Sequence, residues 1–375
     1  MKTIFITIPW FIPAFKAGGP ILSIANMVNE LDEGYQFYVY TSNTDLHGLP
    51  IAVAIANEWT VYNDYTKVWY SGKKDRSQQL VEQVKLVRPD VLYVIGLFDW
   101  HFNIVPLLYA DCADKLLSVR GMLHPGALGQ KAWKKKIFLQ AMKWMKLERK
   151  ARFHATDEAE LGFIKNVFGE EIKVEVAANF PRLFPVQQVT VKEPGELRLV
   201  SVGIISPMKN YLWVIRALKQ IKQTMHYDIY GPVKEVGYWE ECLLAIKELP
   251  ANIVVAYHPE LPAHKVSSKL AGQHVFILPS KSENYGHAIV EALSAGLPVI
   301  TSEGVPWLEL AEGKAGINLK VYNEESGIRN LEETIGFFAA MGSEDYEIYS
   351  KGAAAYIRER VDVGDLKMRY GQMFR

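Results

Sequence analysis

The sequence predicts an α/β protein built from two doubly wound, parallel-sheet domains, and three observations carry that expectation. The first is length, since 375 residues exceed what one hydrophobic core usually organises. The second is alternation: short apolar runs exchange with longer segments of helical spacing, the pattern of βα units feeding a parallel sheet. The third is that this alternation occurs twice, on either side of an irregular stretch, 179–195, that holds Pro181, Pro185 and Pro194. A composition of 49% hydrophobic and 22% charged residues excludes disordered, collagen-like and coiled-coil classes.

Taken in order, Lys2–Ile8 is a β-branched and aromatic run and reads as a buried strand. Pro20–Leu31 places Ile21, Ile24, Ala25, Val28 and Leu31 on one helical face. Phe37–Thr41 reads as a strand, Ser77–Val87 as a helix stopped by Arg88 and Pro89, and Val91–Ile95 as a strand. Leu116–Val119 is the next strand and Lys131–Ala151 a long helix. The second set runs through strand Leu197–Val202, helix Leu212–Gln223 and strands Tyr227–Tyr230, Ile253–Ala256 and Val275–Leu278. Helix Ala288–Ala295 and strand Pro298–Thr301 follow. The expected division gives residues 1–185 to one domain and 186–361 to the other, with a helix over 362–375 packing back on the first. Ligands of such sheets bind at the carboxyl ends of the strands, so the expected site is a cleft that the two domains face.

Lys plus Arg equal Asp plus Glu at 42 each, which argues against a nucleic-acid binder working through its overall field. Cys112 and Cys242 are too few and too far apart for a disulfide framework or a metal knuckle, so the chain reads as cytoplasmic. The apolar start contains Pro9 and Pro13, no small-residue cleavage site follows, and Lys16 comes next. Those features argue against a signal peptide. No uninterrupted apolar run is long enough to span a bilayer.

The informative segment runs from Phe276 to Ile300. A strand ends at Leu278, a loop carries Glu283, Asn284, Tyr285 and Gly286, and a helix begins near Gly286 or His287. The N-terminus of a helix presents N–H donors and a partial positive charge, which suits a phosphate. Gly286 allows close approach to the backbone. Glu283 precedes the helix and Glu291 lies about one turn inside it, so two carboxylates can accept from hydroxyls at two depths of one elongated ligand. Alone, such a pair also reads as one capping and one solvated charge.

The dense pattern Leu278-Pro279-Ser280, Glu283, Tyr285-Gly286, Glu291-Ala292-Leu293, Gly296 and Pro298-Val299-Ile300 resembles the retaining glycosyltransferases of family four. These have the GT-B fold, two Rossmann-like domains facing across a cleft. The resemblance implies that Glu283 lies by the donor hexose and Glu291 holds the ribose. It also implies that the backbone of Asn284, Tyr285, Gly286 and His287 meets the donor's sugar and phosphates. The loop from Val202 to Asn210 is similar to the family's diphosphate loop. Lys209 matches its lysine, and Ile204 stands where the family has arginine. Gly231, before Pro232, is similar to the family's Gly-Pro turn near the nucleobase, and a turn with no ligand contact explains it equally well. By itself Lys209 reads as a surface lysine ahead of a helix.

In the first half, Gly18 and Gly19 resemble the family's glycine loop under the donor phosphates, although a tight strand-to-helix turn explains them equally well. Arg120, an obligate cation with a fork of donors, is expected to meet a leaving phosphate or an acceptor anion, and His124 the sugar or acceptor. His101 reads as a structural histidine. Lys131–Arg152 holds nine basic residues and one acid, Glu148, for a net charge of about +8. It reads either as a core-packed helix with a solvated basic face or as a contact for anionic lipid.

The expectation is therefore a retaining hexosyltransferase moving sugar from a UDP- or GDP-sugar to a glycan or lipid-linked acceptor in cell-surface polysaccharide synthesis. It would be cytoplasmic or peripheral on the inner face of the membrane. No Asp-x-Asp motif occurs, so no obligatory metal or other cofactor is expected, and nucleic acid is not an expected partner. A sugar-nucleotide 2-epimerase and a non-catalytic sugar-nucleotide-binding protein are the alternatives. Release of free UDP or GDP only with an acceptor would separate the first. Tight donor binding without turnover would mark the second.

Overall fold

The run Lys-Thr-Ile-Phe-Ile-Thr forms β1 (Lys2–Thr7), which lies inside the first sheet and pairs in parallel on both sides. The coordinates, a computed structural model, describe every residue except 17, 32–33, 52–54, 130–131, 189 and 321–322. They divide into two units: Met1–Phe180 with Val363–Arg375, and Pro181–Asp362.

In the first unit β1 leads through α1 (Gly19–Glu30) to β2 (Tyr35–Ser42), then to a hairpin of β3 (Trp59–Asn63) and β4 (Thr66–Ser71). There follow α2 (Arg76–Val87), β5 (Val91–Ile95), α3 (Val105–Tyr109), β6 (Asp114–Ser118), α4 (Pro125–Gly129) and α5 (Ala132–Trp144). The run ends with β7 (Arg152–Ala155), α6 (Glu158–Phe168) and β8 (Val174–Val176). The strand order is β3-β4-β2-β1-β5-β6-β7-β8, parallel except for β3. Two-residue periodicity sends Ile4 and Ile6 into one hydrophobic cluster and Phe5 into another, on opposite faces. Burial on both faces is what a parallel sheet covered by helices demands.

The second unit contains β9 (Glu196–Val202), α7 (Tyr211–Leu218), β10 (Thr224–Tyr230), α8 (Val236–Lys247), β11 (Ile253–His258) and α9 (Val266–Leu270). It continues through β12 (Val275–Leu278), α10 (His287–Ser294), β13 (Val299–Ser302), β14 (Gly316–Leu319), α11 (Glu324–Ala340) and α12 (Ser343–Arg360). Its six strands are all parallel, in the order β11-β10-β9-β12-β13-β14. A last helix, α13 (Val363–Met373), belongs to the first unit, where Tyr370 packs 4.8 Å from Phe180.

Two predicted helices are shorter than expected. The expected helix Lys131–Ala151 begins at a residue outside the described ones and ends at Trp144. Lys146 is left-handed (φ 53°) and a 3₁₀ turn, Leu147–Arg149, follows, which turns Leu147 fully into the core. The helix predicted over Leu212–Gln223 ends at Leu218, where i→i+3 bonds from Lys219, Gln220 and Ile221 tighten the last turn. No helix among the described residues is long and apolar enough to cross a membrane.

A buried polar chain fixes the middle of the first unit. Arg120 Nη2 donates to the Tyr93 hydroxyl at 2.8 Å, which lies 2.6 Å from His154 Nδ1, while His154 Nε2 lies 2.8 Å from the Ala177 carbonyl. Burial, with the Arg120 charge beside it, pushes His154 down from 6.5 to about 3. The folded pKa is depressed, so this contribution to stability is complete above about pH 6.5 and is lost as pH falls toward 3. Guanidinium unfolding between pH 7 and 4 should therefore show wild-type stability declining more steeply than that of His154→Gln. Parallel declines would remove His154 as the cause.

Candidate functional site

The two central strands of the second sheet, β9 and β12, lie side by side, yet the chain leaves them in opposite directions, toward β10 and toward β13. Loops leaving such a switch point at the carboxyl strand ends diverge and open a crevice, the usual ligand position in an open α/β sheet. The 203–210 and 279–286 loops both arise there. They are stitched together by Lys281 N–H to the Met208 carbonyl at 2.8 Å and by Asn210 Nδ2 to the Pro279 carbonyl at 2.8 Å. Across this seam Lys209 forms an ion pair with Glu283, which also accepts from Ser280 Oγ at 2.7 Å. Sequence reasoning named both residues, and the fold brings them together across 74 positions.

Gly286 caps α10 in the left-handed region (φ 77°) without a side-chain hydrogen bond. A Cβ there would meet Ile289 at 3.2 Å and the Trp307 ring at 3.5 Å. Tyr285 and His287 pack with ring centroids 4.8 Å apart, and Tyr285 meets Trp307 edge-on. His287 is the first residue of α10 and is buried, while Asn284 is exposed. A glycine-entered helix start with exposed backbone before it can receive an anion.

Glu291, one turn inside α10, is almost fully buried. Its carboxylate pairs with Arg182, whose Nε and Nη2 lie 3.0 and 2.6 Å from Oε1. Burial raises the Glu291 pKa, and the Arg182 guanidinium opposes that rise. Sequence reasoning missed Arg182; its lone signal was an arginine within a proline-bearing stretch. Gly231 sits at the carboxyl end of β10 (φ 144°), where its backbone nearly touches that of Gly203. Ile204 lies beside Gly203, so the loop's cation is Lys209, six residues after Gly203.

In the first unit, Gly18 enters α1 with φ 81°, and Ala17 lies outside the described residues. The preceding loop is held by the buried Asp45 carboxylate, which accepts from the Phe15 N–H at 3.0 Å and the Lys16 N–H at 3.2 Å. Gly19 is the first residue of α1. Arg120, expected to meet a phosphate, has a different occupation here. It is buried, and it donates to Ser23 Oγ at 2.9 Å, to Asn179 Oδ1 and to the Tyr93 hydroxyl. Desolvating a guanidinium demands partners for its donors; this network occupies Nη1 and Nη2 inside the unit, while the buried Nε has no partner among the described residues. His124 is exposed, and its Nδ1 accepts from the Gly126 N–H at 3.1 Å in the first turn of α4. His101 Nδ1 lies 2.7 Å from Ser77 Oγ. Among the described residues, no three His, Cys, Asp or Glu side chains gather as a metal-holding group.

Comparison with known proteins follows the same division. Residues 186–335 match the family model described as Glycosyl transferases group 1. Sulfoquinovosyl transferase SQD2 of Arabidopsis thaliana is 26% identical over 168 residues, covering 41% of this chain and 31% of that protein's length. Sucrose-phosphate synthase from Thermosynechococcus elongatus matches with a TM-score of 0.74 at 13% identity, covering 100% of this chain and 98% of the other. Anabaena HepE, in complex with UDP and glucose, matches with a TM-score of 0.69 at 15% identity, covering 100% and 99%. WaaG, a glycosyltransferase involved in lipopolysaccharide biosynthesis, matches with a TM-score of 0.67 at 13% identity, covering 99% of each chain. Residues 186–335 thus match the Glycosyl transferases group 1 model, in a chain whose two sheets have the fold of the GT-B glycosyltransferases.

Proposed function

We propose that this protein is a retaining glycosyltransferase. It moves a hexose from a nucleoside-diphosphate sugar, UDP- or GDP-linked, to a glycan or lipid-linked acceptor in cell-surface polysaccharide synthesis. The observation that carries the reading is the Lys209–Glu283 pair at the β9/β12 switch point, beside the glycine-entered start of α10. HepE, with the same fold, holds UDP and glucose. In this reading Lys209 and the α10 N-terminus bind the diphosphate, and they stabilise the negative charge that grows on it as the glycosidic bond breaks. Glu283 accepts from a hexose hydroxyl, Glu291 accepts from the ribose, and Gly231 keeps the turn by the base narrow. The acceptor hydroxyl attacks from the face that the phosphate leaves, and a phosphate oxygen takes its proton.

Incubation with UDP- and GDP-sugars tests this directly. Free nucleoside diphosphate should form only when an acceptor is present, and product NMR should show the donor's anomeric configuration kept. Inverted product would overturn the retaining mechanism, and binding without transfer to any acceptor would overturn the enzyme.

The acceptor's chemistry bears on α5. Only Leu139 and Met142 of this helix are buried, whereas Trp133, Ile137 and Trp144 are 65%, 60% and 85% exposed. Lys134, Lys136 and Lys143 are exposed on the same helix, and Lys131 lies outside the described residues. Exposed tryptophans among lysines suit the headgroup region of an anionic bilayer, where each cation contributes about 1 kcal/mol. Co-sedimentation with anionic vesicles is expected to fall as salt rises from about 50 to 500 mM. It is also expected to vanish when Lys134, Lys136 and Lys143 are changed to Glu. Binding that ignores both changes, or none at all, would make this an ordinary solvated helix face.

A further inference from the structure

Arg182 is the second residue of the second unit, and its guanidinium is held by several partners. Besides the two bonds to Glu291 Oε1, Nη1 donates to the Ala263 carbonyl at 2.9 Å, and the Phe184 ring lies 4.7 Å from the guanidinium carbon. The chain after it is fastened along α10. The Phe184 N–H donates to Ser294 Oγ at 2.9 Å, Ser294 Oγ donates to the Glu291 carbonyl at 2.9 Å, and the Gln187 N–H donates to the Ala295 carbonyl at 3.0 Å. Arg182 therefore sits on a rigid strap, with little side-chain entropy left to lose.

Both nitrogens that reach Glu291 converge on one oxygen. Oε2 accepts no hydrogen bond among the described residues, although the Glu291 side chain is only 4% exposed. A buried carboxylate with half of its acceptor capacity unused is costly unless another donor fills it. We propose that Arg182 is the positioning residue of the ribose site. It takes Oε1 for itself and leaves Oε2 aimed at the ribose hydroxyls, while Nη1 fixes the chain ahead of α9. The inference rests on the assignment of Glu291 to the ribose. A cation here has work to do, because burial alone drives a carboxyl toward its neutral form, and the Arg182 guanidinium opposes that rise.

A clamp that merely stabilised the fold would weaken every nucleotide alike. A positioning residue changes how well the protein tells a ribose with hydroxyls from one without. Calorimetric titration of wild type, Arg182→Ala, Arg182→Gln, Arg182→Lys and Glu291→Gln with UDP and 2′,3′-dideoxy-UDP, and with the matching GDP pair, reads that difference. Wild type is expected to prefer the hydroxylated nucleotide by about tenfold or more. In Arg182→Ala and Arg182→Gln the preference should fall to roughly threefold or less, and Arg182→Lys should restore part of it. If the alanine variant does not fold, the glutamine variant, which keeps a donor without the charge, decides. Variants at Arg182 that bind more weakly but keep the wild-type ratio would overturn the inference and leave Glu291 in place. A wild-type ratio in Glu291→Gln would overturn the ribose assignment itself, as would a wild type that binds neither nucleotide.

Discussion

Lys209→Ala is expected to lower sugar transfer by about 100-fold or more, the loss typical of one removed leaving-group stabiliser. That corresponds to about 2.7 kcal/mol of transition-state stabilisation. The residue ends a short 3₁₀ turn, Pro207–Lys209, and Asn210 after it is left-handed (φ 55°) with its amide bonded to the Pro279 carbonyl. The ammonium is thus delivered by a fixed loop. Alanine would also leave the Glu283 carboxylate with Ser280 as its remaining side-chain partner among the described residues, so the hexose carboxylate loses its orientation along with the diphosphate's cation. Lys209→Met keeps the stem and removes only the charge, which separates the two effects. Ile204→Arg, adding a second cation to the same loop, is expected to tighten donor binding. Steady-state kinetics with folding checked by thermal melting decide the matter: a near-normal rate for Lys209→Ala means that the diphosphate is held elsewhere.

Gly231→Ala should damage fold and donor binding together. A Cβ at this position would stand 2.0 Å from the Gly203 carbonyl oxygen and 2.7 Å from its carbon, in a backbone conformation (φ 144°) that L side chains rarely adopt. Neither strand end can yield easily. The Gly203 N–H donates to the Tyr230 carbonyl at 2.9 Å, the Tyr211 hydroxyl donates to the Gly203 carbonyl at 3.0 Å, and the Gly231 N–H donates to the His258 carbonyl at 3.0 Å. Separating β9 from β10 here costs on the order of 2–4 kcal/mol and moves the loop that carries Lys209. The guanidinium unfolding midpoint should fall, and donor affinity with it. An unchanged midpoint would mean that the two backbones part without strain.

Much of this arrangement was legible along the chain. Strands Val91–Ile95 and Val275–Leu278 match their predicted limits, because a fully buried strand is a continuous apolar run that turn residues end abruptly. The start of α10 was equally clear, since Gly286 breaks the strand-to-helix path at the residue where the left-handed turn occurs. The hairpin Trp59–Ser71 and the strands β7, β8 and β14 were not assigned. Half-buried edge and short strands mix polar and apolar residues, and their identity comes from the neighbour they pair with. The Lys131–Ala151 pattern misled in length, because helical spacing continues in sequence through Lys146 while the backbone there turns left-handed.

Local chemistry along the chain specified where strands lie, where α10 begins, and which side chains near it suit a sugar and its phosphates. Periodicity and turn propensity act over a few residues, and those features are written at that range. Which distant residues meet was settled by topology. Lys209 reaches Glu283 because β9 and β12 are neighbours at a switch point, and Arg182 reaches Glu291, 109 positions away, because the chain after Pro181 is strapped along α10. The inward commitment of Arg120 has the same origin. Its partners Ser23, Tyr93 and Asn179 come from α1, β5 and the irregular stretch after β8, and the cost of burying a guanidinium exists only once the fold has closed around it.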